Sequence, residues 1–386
     1  MNHQSTADEY DGEVSMTDKV NIAIVGLGFG AEFIPIYQRH PHTNMCAICQ
    51  RNPEHLAEIG DKFGVAKRYT DFADLIADPE VDAVHINTPI DDHAWMSMDA
   101  LHAGKHVAST VPMARTVEEC RLVVEAQKAS GKVYTMMETT VYTREYLFVK
   151  EMLDKGELGR LQFVRAAHHQ EMAAGNWPHY WPGMPPMHYA THCVGPVLAL
   201  TGKRCEWVSC LGSGRVDEKY ARRYGSPFAV ETTHMMLKDS DVHAEITRSL
   251  YNTAREYVES FDAYGSKRTF EWTQLEAGDP VVFTGEDGKR VPVPDYAHLL
   301  PEPIQPFTTG GGYELEGETH RSFTQGGGHG GSHPHLAHEF VMSIVQDREP
   351  YPNAVESANW TCTGICAHDS ALRGGERVWL PEFTLE

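Results

Sequence analysis

Val25-Gly-Leu-Gly-Phe-Gly-Ala31 is the stretch of sequence that decides the fold. It follows an apolar run, Val20–Val25, that is typical of a buried strand, and it precedes a stretch typical of a helix. The spacing is G-x-G-x-x-A, in which the first glycine permits a tight turn and the second lets the backbone approach a pyrophosphate at the helix N-terminus. A glycine-rich turn without a ligand is the alternative, but the flanking strand and helix favour dinucleotide binding. The residues that we assign to the cofactor here are Gly26, Gly28, Phe29 and Gly30.

Apolar runs and amphipathic stretches continue to alternate after this turn, which is the order that builds a parallel sheet. The further strands that we predict here are Met45–Cys49, Val81–Asn87, His106–Ser109 and Val133–Met137. Helix signals lie between them, since Asn52-Pro53 offers an N-cap followed by proline, and Thr116–Glu119 has the capping-box pattern. The sequence therefore predicts an α/β protein with an N-terminal Rossmann domain.

The alternation stops after Tyr142, and strands dominate from there. After a helix at Glu145–Lys155, the predicted strands are Leu161–Ala167, Glu206–Leu211, His234–Leu237, His243–Ser249, Tyr257–Ala263 and Lys267–Trp272. Two helices, Leu336–Gln346 and Val355–Leu372, end the chain. We expect a flexible tail at residues 1–18, the Rossmann domain at 19–143, and a C-terminal α+β domain at 144–386 with an open, largely antiparallel sheet, which binds substrate and mediates oligomerisation.

Composition excludes several classes of function. The chain has 386 residues, with 33 Lys and Arg against 54 Asp and Glu, and its formal net charge of −21 repels nucleic acids and anionic membranes. It has no apolar run of about 18 residues that would span a bilayer, and Met1–Asp18 lacks the pattern of a secretory signal. The 8 cysteines lie scattered in apolar segments, as free thiols do in a reducing compartment. We expect a cytoplasmic protein.

The carboxyl edge of the predicted parallel sheet carries further candidate cofactor ligands. Gln50 and Arg51 stand where a carboxylate would normally hold the adenosine ribose 2′-OH. Arg51 can neutralise the 2′-phosphate of NADP, or it can stack on the adenine of NAD while Gln50 holds the 2′-OH, and this evidence leaves both open. The next edge residues are Asn87, Thr88, Pro89 and His93, of which His93 has a second interpretation as a cap of the following helix.

These features resemble the glucose–fructose oxidoreductase / inositol dehydrogenase family (Gfo/Idh/MocA), from about Asn21 to the C-terminus. The resemblance implies a cofactor-binding segment at Thr110, Val111 and Pro112, where the family usually has Glu-Lys-Pro with a Lys that assists hydride transfer. The family's catalytic Asp, four residues before a catalytic His, is replaced by His188 ahead of His192. An ordinary Lys-assisted dehydrogenase mechanism is therefore not expected.

One branch of the family is more similar, namely the NAD-dependent glycosidases typified by α-N-acetylgalactosaminidase, which also have Val-Pro in place of Lys-Pro. Four segments match it in order: Met136–Glu138 with Tyr142, Tyr189–His192 with Gly195-Pro196, Arg255–Tyr257 ahead of Gly265, and Gly327–Gly331. The departures lie at Ser109–Pro112, around Trp177–His188 and at an insertion, Ser332–His335. They affect mainly the substrate side, so the resemblance implies the chemistry more than the sugar, and it places Glu138 at the cofactor.

Catalytic roles follow from chemistry and resemblance together. Removing a hydride from a sugar carbon requires a base near the hydroxyl proton, and His192 is our choice because the pKa of a histidine lies near neutrality. Tyr189, three residues earlier on the same predicted helical face, would bond a neighbouring hydroxyl, and Tyr257 would take the proton α to the new ketone. Each of the three has the alternative of an ordinary packing residue.

Substrate contacts are predicted beside these residues. Trp177, Tyr180 and Trp181 would form an aromatic sugar-stacking wall, with an interdomain cluster as the alternative. The other assigned residues are His188, Arg255 and His329. His188 and His192 also have the i, i+4 spacing of a zinc pair, completed by Glu138 or by His329, His333, His335 and His338, but we expect no metal because a substrate loop explains the His329 segment better.

The function predicted from the sequence is an NAD-dependent glycoside hydrolase that oxidises sugar C3 transiently and eliminates the C1 substituent. An NAD(P)-dependent sugar dehydrogenase, a 3-keto-glycoside lyase or hydratase, and a non-catalytic NAD-binding regulator are the alternatives. We expect NAD rather than NADP, held tightly and recycled. We also expect a homodimer or homotetramer, since an open sheet leaves a broad face to cover. Neither the sugar nor its anomer is specified.

Overall fold

The computed structural model describes residues 19–172, 181–221, 224–255, 257–275, 278–309 and 328–384. The tail predicted at residues 1–18 lies outside these ranges.

A six-stranded parallel sheet forms the N-terminal part of the protein. Its strand order is β3-β2-β1-β4-β5-β6, the doubly wound order of dinucleotide-binding domains. The strands are β1 (Val20–Val25), β2 (Thr43–Cys49), β3 (Lys67–Tyr69), β4 (Ala83–Ile86), β5 (His106–Ser109) and β6 (Tyr134–Met136). The helices are α1 (Ile34–Arg39), α2 (Pro53–Phe63), α3 (Phe72–Ala77), α4 (Ile90–His102) and α5 (Val117–Ser130). The predicted strands are present, and only β3, three residues long, went unpredicted.

The predicted helix ends are also present. The Asn52 side chain caps α2 by accepting from the backbone N–H groups of Glu54 and His55. Thr116 and Glu119 form a complete capping box at the start of α5. Local side chains therefore set where these helices begin.

A second sheet of nine strands follows, in the order β14-β13-β12-β11-β7-β10-β9-β8-β15. Neighbouring strands run antiparallel except for β7 and β10. The strands are β7 (Leu161–Gln170), β8 (Cys205–Ser213), β9 (Val230–Leu237), β10 (His243–Ser249), β11 (Tyr257–Gly265), β12 (Thr269–Glu271), β13 (Val281–Thr284), β14 (Asp287–Arg290) and β15 (Val378–Trp379). The predicted fold class is confirmed; the hairpin β13–β14 and the short β15 are additions.

Five more helices follow the first sheet along the described part of the chain. They are α6 (Arg144–Asp154), α7 (Thr191–Thr201), α8 (Glu218–Ala221), α9 (Gly328–Val345) and α10 (Ala354–Leu372). The α9 side chains of Phe340 and Val341 are buried in one core cluster with Ile22 and Ile24 of β1. The C-terminal part of the chain therefore returns to cover the first sheet. Within the described ranges, none of the helices has both the length and the apolar character needed to cross a lipid bilayer.

Candidate active site

The turn after β1 is crowded at two glycines and open at the third. Gly26 has φ +83°, and a Cβ there would lie 2.4 Å from the Asn87 carbonyl oxygen. A Cβ on Gly30 would lie 2.9 Å from Cγ2 of Ile24. A Cβ on Gly28 would meet no atom within 4 Å. The backbone at Gly28 is thus left accessible, as a pyrophosphate that approaches the N–H groups of this turn requires.

His93 joins the loops that follow β4 and β5. Its Nδ1 lies 2.8 Å from the Pro112 carbonyl oxygen, and its Nε2 lies 2.9 Å from the Thr88 carbonyl oxygen and 3.2 Å from Thr110 Oγ1. Burial lowers the pKa of His93, so the ring is neutral and one nitrogen at a time donates. The helix-cap alternative does not describe this geometry, because α4 begins after Pro89 without a side-chain cap.

The other predicted cofactor residues lie along the same edge of the sheet. Asn87 donates its backbone N–H to the Val25 carbonyl at 2.7 Å, and its side-chain oxygen is buried without a hydrogen-bond partner, a polar atom that suits a ligand. Gln50 follows β2 and accepts from the N–H of Arg51 at 3.0 Å, while Arg51 is exposed. At the position of the family's Lys stands the buried, apolar Val111. The turn and this edge together form a cradle that fits a dinucleotide.

A buried carboxylate and histidine form the centre of the candidate site. Glu138 follows β6, and its carboxylate accepts from His192 Nδ1 at 2.6 Å and from the Thr140 hydroxyl at 2.8 Å. Burial alone would raise the pKa of Glu138, but the His192 ring and these hydrogen bonds outweigh it and lower the pKa. Burial would lower the pKa of His192, but Glu138 and then Glu259 outweigh it and raise the pKa. Glu138 therefore orients His192 and increases its basicity, and its predicted contact with the cofactor stays a prediction.

Close packing of α7 makes this pair possible. His192 lies in the first turn of α7, and a Cβ on Gly195, one turn later, would lie 3.0 Å from Cγ of Glu138. Tyr189 lies at the end of a 3-10 helix, Pro186–Tyr189, rather than on the same α-helix as His192. Its hydroxyl nevertheless lies 3.3 Å from His192 Nε2, so the two predicted partners do meet.

Arg248 binds the backbone of the Tyr189 segment and lies close to the Tyr189 ring. It is fully buried on β10, and its guanidinium donates to the carbonyl oxygens of Tyr189 at 2.7 Å and His168 at 3.0 Å and to Gln170 Oε1 at 2.7 Å. The guanidinium carbon also lies 5.4 Å from the centre of the Tyr189 ring. Burial lowers the pKa of Arg248 to about 10, so it stays cationic at neutral pH.

Glu259 lies beside His192, and its carboxylate is close to several other polar side chains. Tyr257, two residues earlier on β11, donates its hydroxyl to Glu259 Oε1. The same oxygen lies 3.7 Å from His168 Nε2, 3.9 Å from His192 Nε2 and 3.7 Å from His329 Nε2. Burial raises the pKa of Glu259 and raises that of Tyr257 well above its ordinary value. Both predicted catalytic tyrosines thus lie within one connected polar cluster around His192.

A cavity of about 710 Å³ opens onto this cluster. Its polar walls come from several elements and include Glu145, His192, Arg255, Tyr257, Glu259 and His329. Trp272 and Leu275 supply apolar wall, and Arg255 donates to the Gln274 carbonyl oxygen at 3.3 Å. The size and the mixed lining suit a small polar molecule such as a sugar.

Some predicted substrate residues lie elsewhere. Trp177 and Tyr180 are outside the described residues, whereas Trp181 is buried with its ring edge-on to Tyr189, 4.6 Å between centroids, and does not line the cavity. His188 packs against His368 with ring centroids 5.0 Å apart, and burial lowers its pKa to about 3. The i, i+4 spacing of His188 and His192 therefore does not create a shared ligand site.

Sequence reasoning missed Glu259, His168 and Arg248. One signal was available, because Tyr257 and Glu259 are two residues apart and share one face of a strand. His168 required the pairing register, which sets it directly opposite Glu259 across β7 and β11. Arg248 carried no signal, since arginine in a strand is usually exposed.

The fold and the cradle define a dinucleotide-binding oxidoreductase of the Rossmann class. The sequence matches the oxidoreductase family with an NAD-binding Rossmann fold (GFO_IDH_MocA) at residues 20–138 and the GFO/IDH/MocA C-terminal domain at residues 146–271. The chain belongs to the Gfo/Idh/MocA family, as the resemblance implied, and it is an NAD-dependent enzyme of that family.

Several relatives are similar over most of the chain. A glycosyl hydrolase family 109 protein of Shewanella baltica is 24% identical over 396 residues, covering 95% of this chain and 85% of its own. An α-N-acetylgalactosaminidase of Shewanella oneidensis is 26% identical over 364 residues, covering 88% of this chain and 77% of its own. Levoglucosan dehydrogenase, solved with NADH and levoglucosan, has a TM-score of 0.77 at 20% identity, covering 94% of this chain and all of its own, and so shares the fold.

Gly28 and Gly26 of the turn provide a matched test of the cradle. Gly28→Ala should fold normally, because a Cβ there meets nothing, yet it should weaken NAD binding about 10-fold or more by occupying the path of the pyrophosphate. Gly26→Ala should lower stability as well, since its φ is +83° and its Cβ would clash with Asn87. Calorimetric titration with NAD and thermal melts measure both. Equal NAD affinity in Gly28→Ala and the wild-type protein would place the cofactor elsewhere.

Proposed function

We propose that the protein is an NAD-dependent glycoside hydrolase. In this reaction sugar C3 is oxidised, C2 is deprotonated, the C1 substituent is eliminated, water adds, and the ketone is reduced again. The observation that carries the proposal is the Glu138–His192 pair at the wall of a sugar-sized cavity, with Tyr189 and Tyr257 beside it. The two glycosidase relatives support it, because their similarity extends through both domains.

His192 is the group that would receive the hydroxyl proton when C3 is oxidised. Its Nδ1 faces Glu138, so the ring can carry a positive charge while Nε2 turns towards the cavity. Tyr189, at 3.3 Å from Nε2, would hold a neighbouring hydroxyl in position. NAD, when bound, supplies a hydride acceptor for C3 and later returns the hydride.

Tyr257 is the group that would act at C2. Its hydroxyl already donates to Glu259, which gives the phenolic proton a nearby acceptor. The C2 proton becomes removable only when a ketone at C3 can delocalise the carbanion. Glycosidases that use two carboxylates through an oxocarbenium-like state need no such order of steps.

The residues that would hold NAD are the turn glycines with Phe29, the edge residues Asn87–Pro89 and Thr110–Pro112, and Gln50 at the adenosine ribose. We infer NAD rather than NADP, since Gln50 can bond a 2′-OH, and a tightly held, recycled cofactor. Heat denaturation of the purified protein and identification of the released nucleotide test this choice. Arg255 supplies a cationic side chain to the cavity wall, so the proposal includes sugars with an anionic substituent. For the whole protein we infer a homodimer or homotetramer.

Turnover in D₂O tests the proposed chemistry. The purified protein is screened with aryl glycosides of both anomers, and we expect a cleaved sugar that carries deuterium at C2, with no net accumulation of NADH at 340 nm. A 3-deoxy glycoside should be inert. Tyr257→Phe should lower cleavage by about 100-fold or more while NAD binding is unchanged, because this side chain acts only on the sugar.

Two other results would contradict the proposal in different ways. NADH formed in proportion to the sugar consumed would make the protein a sugar dehydrogenase. Cleavage of a 3-deoxy glycoside without deuterium at C2 would eliminate the redox mechanism and the role of Tyr257. Activity only on 3-keto-glycosides supplied ready-made would make it a lyase or hydratase.

A further inference from the structure

Three buried side chains bring ligand atoms together beside the cavity, and two of them, His192 and Glu259, belong to its wall. One ligand atom from each of His168, His192 and Glu259 lies within 4.8 Å of the other two. We propose that these three side chains bind a divalent first-row transition metal ion, with Zn²⁺ as the simplest case. Two imidazoles with one glutamate are a donor set that catalytic zinc sites use, with a further position open for water or substrate.

His168 is the first reason for the proposal. It is 1% exposed, and neither ring nitrogen has a hydrogen-bond partner. A buried polar atom without a hydrogen-bond partner destabilises the folded protein, so an unpartnered imidazole at this depth indicates a ligand. The strand register fixes His168 opposite Glu259, which directs the unpartnered Nε2 to within 3.7 Å of that carboxylate.

The groups behind the candidate ligands are the second reason. A metal-ligating histidine almost always donates its other ring N–H to a carboxylate or carbonyl, which fixes the ring. His192 does this, with Nδ1 2.6 Å from Glu138 Oε1 and Nε2 on the side of Glu259. His329 has a similar arrangement at the edge of the site, since its Nδ1 lies 3.2 Å from His333 Nε2 and its Nε2 faces Glu259.

The distances between the candidate ligand atoms are slightly longer than a bound Zn²⁺ requires. Ligand atoms about 2.0–2.1 Å from a tetrahedral Zn²⁺ lie about 3.3 Å from one another. The Glu259 oxygen lies 3.7 Å from His168 Nε2 and 3.9 Å from His192 Nε2, and the ligand atoms of the two histidines lie within 4.8 Å of each other, so side-chain rotations that move these atoms by up to about 1 Å would complete the site. This ligand set differs from the zinc pair that the spacing of His188 and His192 indicated, because strand pairing rather than helix spacing brings the residues together.

The proposed metal binding does not depend on the proposed function. Its consequence for catalysis, however, rests on that function. An ion here would lie where the cavity meets His192, and it would bind an oxygen of the sugar. A hydroxyl bound to a divalent cation loses its proton more readily. In the metal-loaded protein His192 would serve as a ligand of the ion, the ion would lower the pKa of the hydroxyl, and the released proton would pass to His329, which lines the same cavity wall with its Nε2 3.7 Å from Glu259.

Direct metal binding in the absence of substrate tests the site. Tag-free protein is stripped with a chelator and titrated with Zn²⁺ by calorimetry, and the cobalt-substituted form is examined by absorption spectroscopy. We expect one equivalent per chain and the visible bands of four-coordinate Co²⁺. Glu259→Gln and His168→Gln should each weaken binding by about 100-fold or more, beyond the 10–100-fold effect expected for Glu138→Gln behind His192.

A matched control separates this site from histidine-rich sequence in general. His338 belongs to another histidine pair, 2.9 Å from His40, so His338→Gln should retain full Zn²⁺ affinity. Circular dichroism of each variant identifies any that fail to fold, and Glu259→Gln is the isosteric case for which folding is expected. Sub-stoichiometric binding by the wild-type protein, or equal affinity in Glu259→Gln and His168→Gln, would overturn the proposal. If Zn²⁺ binds but no glycoside is cleaved, the proposed function alone fails.

Discussion

Replacing His192 by alanine is expected to lower glycoside turnover by about 1,000-fold, within the range of about 100- to 10,000-fold attributed to one general acid or base. The expected effect is this large because His192 is the point where Glu138, Tyr189 and the cavity meet. The loss holds whether the ring receives the proton itself or serves as a ligand of the proposed metal ion. Reduction of bound NAD during a single turnover should disappear together with cleavage.

Stopped-flow absorbance at 340 nm and product analysis measure both effects in the same sample. His102→Ala is the control, since this exposed histidine at the end of α4 lies outside the cavity wall. NAD affinity should be unchanged in both variants. Cleavage by His192→Ala within 10-fold of the wild-type rate would rule out a direct role of this side chain in the chemistry.

Replacing Arg248 by leucine is expected to lower the free energy of unfolding by about 3–5 kcal/mol. The guanidinium is fully buried, and its removal would leave acceptors at Tyr189, His168 and Gln170 without their donor. Because Tyr189 would lose the group that holds its backbone, cleavage should fall as well.

Urea unfolding followed by fluorescence measures this loss. Arg160→Leu is the control beside the adjacent strand β7, since Arg160 pairs with Asp241 and both side chains are largely exposed. Its cost should stay below about 1 kcal/mol, as for other exposed ion pairs. Similar losses in the two variants would show that burial of Arg248 contributes nothing beyond its charge.

The sequence allowed the fold to be predicted because the signals are local. The glycine turn, the caps at Asn52 and Thr116 and the apolar runs each depend on neighbours along the chain. The hairpin β13–β14 was not predicted because the apolar run of β13, Val281–Phe283, is only three residues long and partly exposed, and β14 is exposed and has no apolar residue. Prediction succeeded for those elements that are specified by residues close to one another along the chain.

The candidate site could be predicted only in part, for a physical reason. Tyr189 and His192 are close in sequence and meet in space, whereas Glu138 joins them from the end of β6 and His168 from β7. Trp181, which was predicted to belong to the sugar-stacking wall, instead packs against Tyr189. Long-range packing decides such contacts, and a single sequence does not record it.

The ring of Phe29 has a consequence beyond its place in the glycine turn. It lies against His329 and His333, with ring centroids 5.9 Å and 5.4 Å apart, so the nucleotide cradle and the edge of the cavity share a boundary. A ligand in the cradle or in the cavity that moves the Phe29 ring therefore changes the free energy with which a ligand binds on the other side. Thermodynamic reciprocity then requires that whatever factor NAD applies to the affinity of a sugar, the sugar applies to the affinity of NAD. In the proposed function, in which NAD is recycled, this coupling would hold the nucleotide most firmly while substrate is bound.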